Sequence, residues 1–373
     1  MPRIPLSFVA AALALGVAGC SSSKSSTADT AAAPAAKEAS FDVRHEVKIM
    51  VPDGAKKVRA WIAYPTDDPL QVVSSMKIES PYPTRVETDA DGNKILYVEA
   101  MNPGVKEFVV AQNFRLVRQE QKVAADASKT RALTDAERAE KAAYLAPNTH
   151  VVINDDIKKL AREITAGEQN PILAARKIYD WELKNVEYWV KDPDNKKASP
   201  VGSTLYTLEK RTGNCTDFHS LWTSLARAEG IPTRMVYGSF MKAELDGKDK
   251  DQSYHCWPEF YAPGVGWVPH DVAVADIFVG DFATTPANDE KVRLTTADGY
   301  KGADPAKVDY YFGAVEERRV TWSRGRDLKL SPAPASGAVN HMAKALVEVD
   351  DKVHPEKDGW VRKLTFVGVP AAK

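Results

Sequence analysis

Residues 211–222 read RTGNCTDFHSLW, with Cys215 placed where glycine and asparagine break the chain just before an apolar pattern of helical spacing. Phe218, Leu221, Trp222 and Leu225 recur at intervals of three and four until the run stops at Gly230-Ile231-Pro232, so the stretch predicts a helix with the cysteine in its first turn. A thiol there is a candidate nucleophile. The positive end of the helix dipole favours the thiolate, and free N–H groups of the first turn can hold an oxyanion. Cys215 sits at the edge of the apolar stripe, so its sulfur can touch both core and cleft.

Downstream, TRMVYGSF (233–240), YHCWPEFY (254–261) and WVPH (267–270) read as antiparallel strands. The hydrophilic LDGKDKDQ (245–252) between the first two predicts a mobile loop beside the site, and the short turn APGVGW (262–267) pairs the second with the third. Acyl transfer through sulfur needs a thiolate, a base able to protonate the leaving amine, and a group that orients the imidazole. Cys215, His255 and Asp271 fit these three roles, because a helix N-terminus packed on adjacent strands can bring them together. The backbone N–H of Cys215 supplies one oxyanion donor, and the second is left open.

Upstream, Ile157, Leu160, Ala161 and Ile164 share one helical face closed by Gly167. A second helix opens at Asn170-Pro171, VEYWV (186–190) reads as a strand, and a third helix follows Ser203. Helices followed by an antiparallel sheet make residues 150–330 an α+β domain. Ahead of it, alternating runs at 45–51, 57–64, 95–98 and 107–111, separated by turns, predict a β-sandwich over 41–118. Within it TDADGN (88–93) resembles a calcium loop in passing, but lacks the distal acid and reads as a hairpin turn. Residues 119–149 form a polar connector with a capping box, Thr134 to Glu137, opening a helix that Pro147 would end. Residues 331–373 read as a C-terminal β extension.

The chain has 373 residues with 50 basic against 51 acidic side chains, and no basic block interleaves with aromatics, which argues against a nucleic-acid partner. Residues 1–20 are a secretory leader: a basic start, an apolar stretch from Ile4 to Val17, then small residues. VAGC (17–20) resembles the lipobox of bacterial lipoproteins, which implies lipidation at Cys20, and Ser21 after it implies the outer membrane facing the periplasm. SSSKSSTADTAAAPAAKEAS (21–40) lacks large apolar residues and reads as a flexible tether. With Cys20 assigned to lipid, Cys215 and Cys256 are too few for a disulfide scaffold. His255 and Cys256 alternate to opposite faces of a strand, so Cys256 reads as a buried small hydrophobe turned away from Cys215.

GNCTDF followed by AEGIPTR, then HCWPEFY and GWVPHD, resembles the transglutaminase-like superfamily, best over 151–275. The N-terminal β region and the tail YYFG (310–313) to RVTWSRGRDL (319–328) also look like bacterial members. This resemblance implies a papain/transglutaminase-like core, with Cys215 as nucleophile, His255 as base and Asp271 as orienting carboxylate. Cys256 departs from the commoner alanine, and Pro258, which lacks a ladder donor, implies an edge or bulge. His219, one turn after Cys215, reads as a half-exposed neighbour of the site, and His270 as turned to the other face of its strand. Trp257 and Trp267 read as packing beneath the site. The three histidines lack a metal-ligand spacing, and no cofactor is expected.

The leading functional expectation is a cell-envelope thiol enzyme that forms a thioester on Cys215 and passes the acyl group to water, a peptidase or amidase acting on a peptide or protein amide. Transfer to an amine would instead make a crosslinking enzyme. A non-catalytic binding or assembly module is the competing class, and an envelope lipoprotein working through its β domain is a third.

Overall fold

The computed structural model describes residues 36–248, 254–296 and 300–370. The leader, Cys20 and most of the tether therefore lie outside the described residues. Along Glu38–Met50 every second side chain from Phe41 to Ile49 is buried, the alternation of a half-covered strand. The strand starts earlier than residue 41, because Glu38 to Ser40 continue its ladder against Gln119 to Val117. Backbone pairing needs no apolar side chain, so composition did not mark those residues.

Two sheets form the sandwich. One has the order Trp360–Val369, Glu38–Met50, Glu107–Gln119, Gln71–Glu79. The other runs Lys352–His354, Ala345–Val349, Lys57–Ala63, Lys94–Met101, Thr84–Thr88. Val47, Ile49, Ile62, Leu96, Val98, Val110 and Val347 fill the space between them. The residues after 331 are thus no separate extension. They contribute three strands, Ser40–Ile49 pairing with Val369–Trp360 and Val58–Ile62 with Val349–Ala345. TDADGN is a hairpin turn, in which Asp89 accepts hydrogen bonds from Asp91 N at 2.9 Å and Asn93 N at 2.8 Å. The connector helix Asp135–Glu140 has the Thr134–Glu137 capping box and stops at Lys141, ahead of Pro147.

In the second half, the helix Cys215–Ala228 is buried on every face from Cys215 to Arg227. Helices Asp155–Thr165, Pro171–Asn185 and Thr204–Lys210 are capped by Asn154, Asn170 and Ser203. Some polar groups of the central helix find partners in these surroundings: Ser224 Oγ lies 2.7 Å from Thr204 Oγ1, and Arg227 donates to Asn148 Oδ1 at 2.8 Å and Thr233 O at 2.7 Å. The VEYWV segment is a strand only at Glu187–Tyr188, parallel to Thr212–Gly213, before a tight turn.

The helix rests on an antiparallel sheet of order Gly266–Pro269, Tyr254–Ala262, Thr233–Phe240, Arg319–Arg324. Pro258 is in an inner strand and not at an edge. Its carbonyl accepts from His270 N at 3.1 Å, so its missing N–H faces the point just beyond Pro269, where the neighbouring strand has ended. The outer edge of Arg319–Arg324 is covered by two side-chain amides from the sandwich. Gln71 donates to Thr321 O (3.0 Å) and accepts from Thr321 N (2.8 Å), while Asn93 does the same for Arg324 (2.8 and 2.7 Å). Each amide imitates one residue of a strand. From Ala36 onward the chain is one compact unit, and no helix among the described residues is long and apolar enough to cross a membrane.

Gln71→Leu leaves both groups of Thr321 buried without partners and is expected to lower stability by about 2–4 kcal/mol. Urea unfolding of the two proteins checks this; a difference below about 0.5 kcal/mol would mean that the edge is held by other contacts.

Candidate active site

Asn214 caps the cysteine helix, accepting from Asp217 N at 3.0 Å while Asp217 Oδ2 accepts from Asn214 N at 3.0 Å. Asp217 also accepts from the backbone N–H of Ser199 (2.9 Å) and Ser203 (2.8 Å), tying the preceding loop to the helix start. Gly213 is required here, because a Cβ would lie 2.3 Å from that of Asp217. This frame fixes Cys215, 3% exposed, at the first helical position.

His255 Nε2 lies 2.7 Å from Asp271 Oδ2, which leaves Nδ1 for the thiol. Asp271 itself caps the next helix, Val272–Ile277, through Val274 N at 3.1 Å. The three residues expected to converge are therefore together, all buried. His219 is not half-exposed. It is fully buried, with Nε2 3.4 Å from Asp271 Oδ1 and Nδ1 3.4 Å from Cys256 Sγ, because its helix is covered on every side. His270 is away from the thiol, packed with its ring 3.9 Å from that of Trp222. Trp257 is buried beneath the site, its ring 4.9 Å from the Arg319 guanidinium. Trp267 lies at the sheet's far edge against Arg234 and Tyr144.

Cys256 was expected to turn away from Cys215, yet it stands with His255 among the groups that lower the Cys215 thiol. The Cys256 sulfur also lies 3.5 Å from Thr216 Oγ1, on the same helix turn, so the cysteine helix straddles the strand instead of facing one side of it. Both cysteines are free.

Electrostatics separates these groups. Burial pushes the Cys215 thiol up, but the Cys256 hydrogen bond and the charge and hydrogen bond of His255 outweigh it and hold the thiol well below its usual range. Cys256 is pushed well up by burial and by its bond to Cys215, and stays a thiol. Burial lowers His255, but Asp271 and Cys215 raise it overall; His219, where burial prevails over Asp271, is lowered. These directions favour the thiolate at Cys215 and the protonated ring at His255, and disfavour a charge on His219. Burial alone would raise Asp271, whereas His255 and Arg319 hold it well below the usual carboxylate range.

Arg319 was not anticipated as part of the site. Its guanidinium pairs with Asp271 Oδ2 at 2.7 Å and with Glu316 Oε2 at 2.7 Å, and Glu316 reaches the buried Lys242 at 3.1 Å. Phe240 lies within this group, stacked 4.1 Å from His255 with Lys242 3.9 Å from its ring. Tyr188 was also missed: it walls the cavity beside Cys215, and its backbone N–H donates to Asp276 at 2.8 Å. The paired aromatics of VEYWV were a possible signal for Tyr188. In front of Cys215 lies a cavity of about 320 Å³ walled by Tyr188, Trp189, Phe240 and Tyr254. Among the described residues no group of three or more His, Cys, Asp or Glu side chains is arranged to hold a metal ion.

Residues 158–272, which contain all three convergent groups, match the model of the transglutaminase-like superfamily. An uncharacterized protein of Haemophilus influenzae is 30% identical over 228 residues, 55% of this chain and 56% of that protein, so the match spans about half of the relative's length. The fold is similar to that in a crystal structure of a proposed cysteine protease from Cytophaga hutchinsonii (TM-score 0.52, 16% identity, covering 88% of this chain and 98% of the other). The architecture is accordingly a papain/transglutaminase-like α+β core preceded by a β-sandwich.

Removing Arg319 leaves Asp271 buried with less compensation, so Arg319→Met is expected to cost about 3–5 kcal/mol. Because the folded value of Asp271 is depressed, its contribution is present above the unfolded value of about 3.9 and lost as pH falls below it. The variant raises the folded value, bringing the acid loss of stability to higher pH. Urea titrations at neutral and acid pH test this, and parallel pH curves for both proteins would count against it.

Proposed function

We propose that the protein is a thiol enzyme that cleaves amides by acyl transfer through Cys215. The observation that carries this reading is the placing of Cys215 at a helix start and of His255, whose Nε2 lies 2.7 Å from Asp271 Oδ2, on the wall of one pocket. The Cys215 thiolate attacks the carbonyl carbon, forming the S–C bond and pushing the electron pair onto oxygen. The backbone N–H of Cys215 and the hydroxyl of Tyr188 are the groups placed to hold that oxyanion, each such donor contributing about 3 kcal/mol in enzymes. As the C–N bond breaks, His255 gives its proton to the leaving amine and a thioester remains. Water, losing a proton to His255, then attacks the thioester and releases the carboxylic acid and Cys215.

Water is preferred over an amine acceptor because Lys291 lines the same pocket and repels the ammonium group of a lysine-like acceptor. A purely binding role leaves the paired charges and the cleft without a use. The leader sequence supports export and a lipid anchor at Cys20 in the bacterial envelope, with Ser21 favouring the outer membrane.

Incubating the full chain with envelope extracts, beside a Cys215→Ser variant, is expected to give an acyl adduct on the Cys215 peptide by mass spectrometry. Absence of any adduct, together with a thiol inert to iodoacetamide in the folded protein, would sink the enzyme reading. The ion pair also sets a pH dependence: alkylation of Cys215 should reach half its plateau well below the value of about 8.5 for a free thiol. His255→Ala should move the midpoint back up and reduce turnover of any identified substrate by about a thousandfold; an unmoved midpoint would remove His255 from its role.

A further inference from the structure

The pocket before Cys215 has an uneven charge. Apart from the Cys215–His255 pair, Lys291 is the one charged residue among the described residues that line it, and no carboxylate does. Lys291 Nζ donates to Ala287 O at 3.1 Å and lies 5.9 Å from the Trp189 ring. No carboxylate stands within ion-pair distance of it among the described residues. Its helix, Asp289–Thr295, is pinned rather than free to turn: Asn288 Nδ2 donates to Lys191 O (2.8 Å) and Ala283 O (2.9 Å), and Val292 is buried. Asp289 pairs with Arg293 on the same helix, at 3.1 Å, so its charge is spent there.

The carboxylates behind the pocket do not offset Lys291. Asp271 is matched by Arg319 at 2.7 Å, and Asp217 accepts from Ser199, Ser203 and Asn214. A cavity of about 320 Å³ is at the small end of ligand pockets (about 300–1,000 Å³), and a group bonded to the sulfur would share it with Lys291. Walls of low dielectric constant strengthen that field compared with open water.

We infer that Lys291 selects acyl donors that carry a carboxylate beside the carbonyl under attack. This rests on the reading of Cys215 as the nucleophile and adds the substrate class: an acidic peptide or amide, held at one end by the ammonium and attacked at the other by sulfur. Lys291 is a specificity-determining residue and takes no part in the proton transfers.

Iodoacetate and iodoacetamide test this without a known substrate, since they are matched in size and differ by one charge. In each case the Cys215 thiolate attacks the methylene carbon, the S–C bond forms, the C–I bond breaks and iodide leaves. The measurement is the ratio of the two alkylation rates at Cys215 in the full chain and in Lys291→Gln, Lys291→Glu and Lys291→Arg. The iodoacetate-to-iodoacetamide ratio is expected to fall roughly fivefold in Lys291→Gln, to fall further in Lys291→Glu, and to return in Lys291→Arg. High salt should narrow these differences. A ratio equal in all four proteins, with Cys215 still alkylated, overturns the role of Lys291 and leaves the thiol-enzyme reading standing. Failure of both reagents to modify Cys215 in the native chain removes the nucleophile, and this inference with it.

Discussion

A carboxylate buried to zero exposure is the constraint around which the rest of the protein is arranged. Asp271 lies out of water, where an uncompensated charge would cost several kcal/mol, and it remains ionised because His255 and Arg319 both face one of its oxygens at 2.7 Å. Arg319 begins the last strand of the sheet, and that strand is completed on its outer side by Gln71 and Asn93 of the sandwich. The sandwich in turn needs the chain's final strands, which pair with its first two. The charge state of one side chain in the cleft thus depends on segments from both ends of the described chain.

Two histidines touching the same carboxylate show how packing assigns chemistry. His255 lies in a strand 2.7 Å from Asp271, and the charges of Asp271 and Cys215 raise it above the ordinary imidazole value. His219, on the helix, touches Asp271 less closely at 3.4 Å, and burial lowers it below the ordinary imidazole value. The imidazoles are chemically identical. Distance to two opposite charges separates a proton donor from a packing group, and the Cys256 thiol, kept protonated beside Cys215, contributes a hydrogen bond rather than a rival nucleophile.

Much of this was legible in the sequence because its causes are local. The Asn214 cap, the glycine before it, the apolar spacing of the cysteine helix and the alternation of the strands all act within a few residues, and they marked Cys215 as the start of a helix and His255 as part of a strand. Arg319, Tyr188 and the burial of His219 were not legible, since each depends on contacts far along the chain. The same holds for the strands Gln71–Glu79 and Thr84–Thr88, edge strands with mostly unburied side chains, and for the C-terminal segment, whose strands have meaning only beside partners some three hundred residues away.

The amide side chains of Gln71 and Asn93 join two halves that share no continuous strand ladder at that point, and this bears on domain autonomy. A fragment limited to residues 150–330 would display the backbone of Thr321 and Arg324 as a naked sheet edge, a template for pairing with other copies. The helix-and-sheet core of this chain is therefore not a portable module. Exchanging it between proteins, by recombination or in the laboratory, would have to carry along a polar side chain at each latch, or the graft would tend to polymerise before it could be assayed.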